Sequence, residues 1–174
     1  MKIAIGCDHA GFELKEDLKV YLEGKGVEVV DLGTPDGTPV DYPEIGMAVA
    51  EKVSTGAIPR GILICGTGIG MAVVANRFRG VRATLCHDLY TARMSREHND
   101  SNLLVLGGRL LGKGIAREIV GVWLETEFLG GNHRRRLDQI ARLDERGLKA
   151  QGTNKKNKLL RSNDLKRRNT GKRK

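Results

Sequence analysis

Gly61-Ile62-Leu63-Ile64-Cys65-Gly66-Thr67-Gly68-Ile69-Gly70-Met71 joins a short apolar run to a glycine-rich loop. Residues Gly61–Cys65 read as a strand buried on both faces, which is how strands of parallel sheets read. The loop Gly66–Gly70 leads into a helix expected over about Met71–Phe78. Small residues there let backbone N–H groups converge on a ligand oxygen, and a helix start adds partial positive charge. A thiol on the last strand residue, Cys65, then sits where it can move a proton, and the same N–H groups can hold an enediolate oxygen. The segment alone leaves two other readings open. One is a structural cysteine beside a glycine turn. The other is a dinucleotide loop: Gly66 and Gly68 fit, Asp88 lies at a suitable distance, but Met71 occupies the third glycine position. No Gly-Lys-Ser/Thr follows, which disfavours a nucleoside-triphosphate loop.

Outward from this segment, short apolar runs alternate with amphipathic stretches. Strands are expected at Lys2–Gly6, Val27–Asp31, Val81–Cys86 and Leu103–Gly107, besides Gly61–Cys65. Helices are expected over about Gly11–Glu23, Glu44–Val53, Met71–Phe78, Leu89–Glu97, Ile115–Glu127 and Arg134–Arg146. This alternation predicts an α/β protein with a five-stranded parallel sheet and helices on both faces. Ligands of such sheets bind beyond the carboxyl ends of the strands. Asp8 and His9, Cys65 to Gly70, and His87 all fall there.

The formal net charge of +9 suggests a polyanion partner until it is divided along the chain. Residues 147–174 hold eleven Lys or Arg and one acid, whereas residues 1–146 hold nineteen basic and twenty acidic residues. The expected organisation is a body over 1–146 and a basic, disordered tail over 147–174, too poor in large apolar residues to offset its ordering entropy. Weak, salt-sensitive polyanion binding is expected of that tail, without the interleaved aromatics that stack on bases. No secretory or membrane-spanning segment is expected, and three cysteines without an export signal suit a reducing, cytoplasmic setting.

Three further constellations can carry chemistry. Cys7-Asp8-His9 puts a carboxylate and an imidazole at a strand end, although Asp is equally a loop cap and Cys7, like Cys86, reads as structural. His98 in Arg96-Glu97-His98-Asn99-Asp100 is a candidate acid or base, or a helix C-cap. Gly130-Gly131-Asn132-His133-Arg134-Arg135-Arg136 suits an anion such as phosphate, or a solvated basic face. Metal-ligand spacings are lacking, so no metal or cofactor is expected.

The motifs GCDHAGFELK, VDYP (Val40–Pro43), ILICGTGIGM, GVRATLCHD, REHNDSNLLVLGGR and GGNHRRRLDQI occur in this order. Together they resemble ribose-5-phosphate isomerase type B, a family that includes galactose-6-phosphate and allose-6-phosphate isomerases. The resemblance covers residues 1–146. It implies a three-layer α/β/α Rossmann-like sandwich, a homodimer or homotetramer with active sites shared between subunits, and no metal. It implies that Cys65 takes the proton beside the sugar carbonyl, and that Thr67 with the N–H groups through Gly66, Gly68 and Gly70 holds the enediolate. Asp8 and His98 would assist ring opening, and Tyr42 and Asn99 would contact sugar hydroxyls. His9, Arg109 and Arg136 would bind phosphate. Asn132 stands where the family usually has arginine, and the tail extends beyond the family's usual end.

Overall fold

The computed structural model describes residues 1–143. Met1–His133 forms one compact unit, and a second begins at Arg134. The expected boundary at 146/147 and the basic tail lie outside the described residues. The first unit runs β1 (Lys2–Cys7), a 3-10 turn (His9–Gly11), α1 (Phe12–Gly24), β2 (Glu28–Asp31) and α2 (Tyr42–Ser54). It continues with β3 (Arg60–Cys65), α3 (Ile69–Ala75), β4 (Ala83–Leu85), α4 (Leu89–Asn99), β5 (Leu103–Gly107) and α5 (Lys113–Glu125). Residues 131–143 are also helical. No helix among the described residues is long and apolar enough to cross a membrane.

The five strands form one parallel sheet in the order β2-β1-β3-β5-β4. Successive residues of a strand point to opposite faces, and the apolar side chains divide accordingly. Ile3, Ile5, Cys7, Ile62, Ile64, Leu104 and Leu106 pack with α1, α5 and Ala92 of α4. Ala4, Leu63, Cys65, Leu103 and Val105 pack with α2 and α3 on the other face. The result is the three-layer α/β/α sandwich, built around a strand β3 that is buried from Gly61 onward because both faces are covered. From β1 the chain moves to β2 on one side, and from β2 it crosses through α2 to β3 on the other side of β1. That switch point is where an open α/β sheet forms a crevice at its carboxyl edge.

The helix ends differ from expectation for local reasons. Helix α2 begins at Tyr42, because Pro43 sits in the first turn, where its missing N–H costs nothing. Helix α3 stops at Ala75. Asn76 turns its amide back to the carbonyl of Ala72 and pairs both its amide nitrogen and its carbonyl oxygen with Ala83 of β4. Strand β4 is an edge strand and shortens to three residues.

Lys15 of α1 is a charged side chain with no solvent exposure. Its Nζ lies 2.8 Å from Asp31 Oδ2, 2.8 Å from the carbonyl oxygen of Thr34 and 3.0 Å from Glu16 Oε1. It therefore ties α1 to the end of β2 and the loop beyond. Removing one partner of a buried ion pair typically costs about 3–5 kcal/mol, because the remaining charge is stranded. Burial alone would raise the Asp31 carboxyl, but hydrogen bonds from Lys15 and Lys19 outweigh it and hold the group below its ordinary 3.8. A carboxyl depressed in the folded state stabilises the fold above its unfolded value and loses that contribution as pH falls through the folded value. The stability carried by Asp31 is therefore present at neutral pH and lost progressively below about pH 4. Chemical-denaturation curves from pH 7 to pH 3 are expected to show a shallower acid limb for Asp31→Asn than for the native chain, from a lower starting stability.

Candidate active site

Three loops meet where β1, β3 and β5 end. The first carries Asp8 and His9. Asp8 is buried, and its Oδ1 accepts the Ala10 N–H at 3.0 Å, which starts the 3-10 turn. His9 is exposed beside it. The second loop is Gly66–Gly68. The third follows β5: the N–H of Gly108 donates to the Cys65 carbonyl at 2.8 Å, and that of Arg109 to the Gly66 carbonyl at 3.1 Å. Packing is close enough to demand small residues. A Cβ on Gly108 would stand 2.6 Å from the Ala10 carbonyl oxygen.

Gly68 has φ +82°, a conformation glycine adopts without strain. This turn aims its N–H back at Cys65, 3.2 Å from Sγ. The Cα of Gly66 faces Arg109, whose Cδ lies 3.6 Å from an ideal Cβ there. The corresponding Cβ of Gly70 would press 2.7 Å from the Tyr42 ring. Thr67 is exposed at the loop's crest, with its hydroxyl 3.4 Å from the Ile69 N–H. The carboxyl edge thus gathers Asp8, His9, Tyr42, Cys65, Gly66, Thr67, Gly68, Gly70 and Arg109. Met71, at the third position of the dinucleotide pattern, is fully buried.

The three thiols are free and occupy different settings. Burial pushes Cys7 up to about 12 and Cys86 up to about 11. Both are neutral, packed core groups, as their sequence context suggests. Cys65 faces the α2/α3 side of the sheet at its carboxyl edge. No group of three His, Cys, Asp or Glu among the described residues is arranged to hold a metal ion.

His98 and Asn99 are not brought to this edge. Helix α4 follows β4 and runs back, so its last turn reaches the strands' amino edge. The carbonyl of Asn102 accepts the N–H of Gly61, the second residue of β3, at 3.0 Å. Gly61 and Cys65 are four strand residues apart, about 13 Å. Within one chain His98 and Cys65 stand at opposite ends of the sheet. There the His98 ring stacks on His133, with centroids 4.1 Å apart and planes inclined by 6°. Asn132, exposed, precedes His133 directly. Arg136 belongs to the second unit, where it is exposed within the helical residues 131–143. His133 lies 35 positions beyond His98, inside a glycine–arginine cluster, and no local pattern reports the pairing.

A family model described as ribose/galactose isomerase matches residues 3–140. Ribose-5-phosphate isomerase B of Escherichia coli is 45% identical over 145 residues, covering 83% of this chain and 97% of that protein. A D-erythrulose-4-phosphate isomerase of Pectobacterium atrosepticum is 42% identical over 141 residues, covering 80% of this chain and 93% of that protein. The structure of Clostridium thermocellum ribose-5-phosphate isomerase B superposes with a TM-score of 0.82 at 48% identity, covering 84% of this chain and 99% of that one.

Thiol reactivity follows the thiolate fraction and access. Cys7 and Cys86 are fully buried and neutral, so iodoacetamide at pH 8 is expected to leave both unmodified until the chain is unfolded, with peptide mapping placing any adduct of the native chain on Cys65, which is 6% exposed at the carboxyl edge.

Proposed function

Because the chain belongs to the ribose/galactose isomerase family, we propose that it interconverts D-ribose 5-phosphate and D-ribulose 5-phosphate in the cytoplasm through a cis-enediolate, with Cys65 as the base. The observation that carries this is the placement of the Cys65 thiol at the carboxyl-edge switch point, where the Gly68 N–H points at its Sγ. In the proposed reaction Sγ removes the C2 proton of the open-chain aldose and returns it to C1. The electron pair shifts into the C1–C2 bond and onto the carbonyl oxygen, and proton exchange between O1 and O2 completes the ketose. The Thr67 hydroxyl and the N–H groups of the loop hold the developing oxyanion. Losing one such donor typically costs about 10²–10³ in rate, and a positioned base contributes about 10²–10⁴. His9 and Arg109 at this edge anchor the phosphate. That remote binding energy holds the carbon against the thiol. Tyr42 and Asn99 contact hydroxyls, and Asp8 and His98 open the ring.

His98 serves Cys65 only if it comes from another copy, and we propose a homodimer in which each site takes Cys65 from one chain and His98 with Asn99 from its partner. Exposed apolar side chains beside the carboxyl edge support this: Tyr42 and Met47 on α2, Ile69 and Val73 on α3. A second copy covering them would remove that surface from water and close the site. A two-fold pair makes both sites alike.

Asn132 carries no charge for phosphate, so it adds no charge-assisted hold on that group. A panel of ribose 5-phosphate, erythrulose 4-phosphate, and allose and galactose 6-phosphates is expected to give the highest kcat/KM for ribose 5-phosphate. A clear preference for a hexose 6-phosphate would transfer the assignment to that substrate.

Cys65→Ala is expected to lower kcat by about 10³ or more with the melting temperature little changed; near-native turnover would remove Cys65 from the mechanism. Cys65→Ala and His98→Ala chains, each impaired alone, are expected to regain about a quarter of native activity when unfolded together and refolded as an equimolar mixture. A mixed pair has one intact site of two, and mixed pairs are half of the total. No recovery would place both residues in one chain's site.

A further inference from the structure

Asp100, which ends α4, is the one non-glycine residue with positive φ among the described residues, at +46°. A left-handed backbone at a side-chain-bearing residue persists where its surroundings over-determine it. Here the surroundings are two arginines. Arg82 Nη2 lies 2.9 Å from Asp100 Oδ2, and Arg96 Nη1 lies 2.9 Å from Oδ1, so both carboxylate oxygens are engaged. Arg82 Nε also donates to the carbonyls of Asn99, at 3.0 Å, and Asp100, at 2.9 Å. Arg96, itself 5% exposed, donates from Nη1 to the Ser101 carbonyl at 2.6 Å and from Nε to the Thr126 carbonyl at 3.3 Å.

The bonds of this cluster reach both sides of the imidazole stack. On one side they fix the backbone immediately after His98, where the orphan carbonyls of a helix end would otherwise need water. On the other, Thr126 is held by Arg96, and the N–H of Leu129 donates to the Glu97 carbonyl at 3.1 Å. That secures the segment that leads through Gly130 and Gly131 to His133. Below the cluster, Trp123 Nε1 lies 3.3 Å from Ser101 Oγ, which itself donates to the Arg82 carbonyl at 3.1 Å. The assembly links the core to the segments that carry the two rings.

We infer that Arg82, Arg96 and Asp100 are positioning residues that set the stacked His98–His133 pair and the Asn99 backbone for the reaction. The inference rests on the reading that His98 works in the site of a partner copy. Loss of the clamp acts through His98, so its effect should disappear when His98 is already absent. A generic loss of packing would persist.

The test is a double-mutant cycle on the full chain, reading kcat, KM and melting temperature. Asp100→Asn keeps a side chain that tolerates the left-handed conformation and removes the charge that engages both arginines. In the native background it is expected to lower kcat about tenfold or more, since small misplacements of a reacting group are costly, with KM changed less than about twofold. In the His98→Ala background it is expected to lower kcat no further. Arg82→Lys, which replaces the planar fork by a point charge, is expected to follow the same pattern and carries the cycle if Asp100→Asn does not fold. Equal losses in both backgrounds would overturn the inference. So would native kcat in both clamp variants while His98→Ala is impaired, an outcome that leaves the reading of His98 intact. Native kcat in His98→Ala itself would remove that reading and the inference together.

Discussion

A chain that makes one parallel strand after another must travel back across the sheet between them. Each connecting helix therefore starts near the strands' carboxyl edge and ends near their amino edge. This constraint decides the chemistry of the molecule more than any single contact. Residues directly after a strand, such as Asp8, His9 and Cys65 to Gly70, gather at one edge. Residues at the end of a helix, such as His98 and Asn99, arrive at the other. On the proposed reading, one chain thus carries two halves of a site at opposite edges of the sheet, and two-fold pairing would join them.

The two edges are built differently. The carboxyl edge is mostly backbone: the Gly68 N–H toward Cys65, and close approaches among Gly108, Ala10, Gly66 and Arg109. The amino edge is made of side chains on a hydrogen-bonded frame. Asp100 is gripped by Arg82 and Arg96, and that frame ends in two stacked imidazoles. Lys15 does comparable work inside the body, a buried cation that joins α1 to the turn after β2 through Asp31 and Thr34. Buried charges are costly unless fully partnered, and in each case the partners are there.

Much of this was legible in the chain itself. The apolar run ending at Cys65 and the alternation of strands with helices imply a parallel sheet, and Leu103–Gly107 is a strand as its pattern predicts. The ordered motifs point to the isomerase family, to which the chain belongs. The thiols also sort by context: Cys7 and Cys86 lack a glycine loop behind them, and both are neutral core groups.

What tertiary structure alone decided concerns distance across the sheet. Nothing local tells that His98 pairs with His133, that Tyr42 lies against Gly70, or that Arg109 faces Gly66. The same holds for the grip on Asp100, whose carboxylate is engaged by arginines 18 residues before it and four before it. Periodicity and composition report a residue's own segment and the face it presents. The meeting of segments depends on strand order and on the direction in which each helix returns, and both are fixed only when the whole core packs at once.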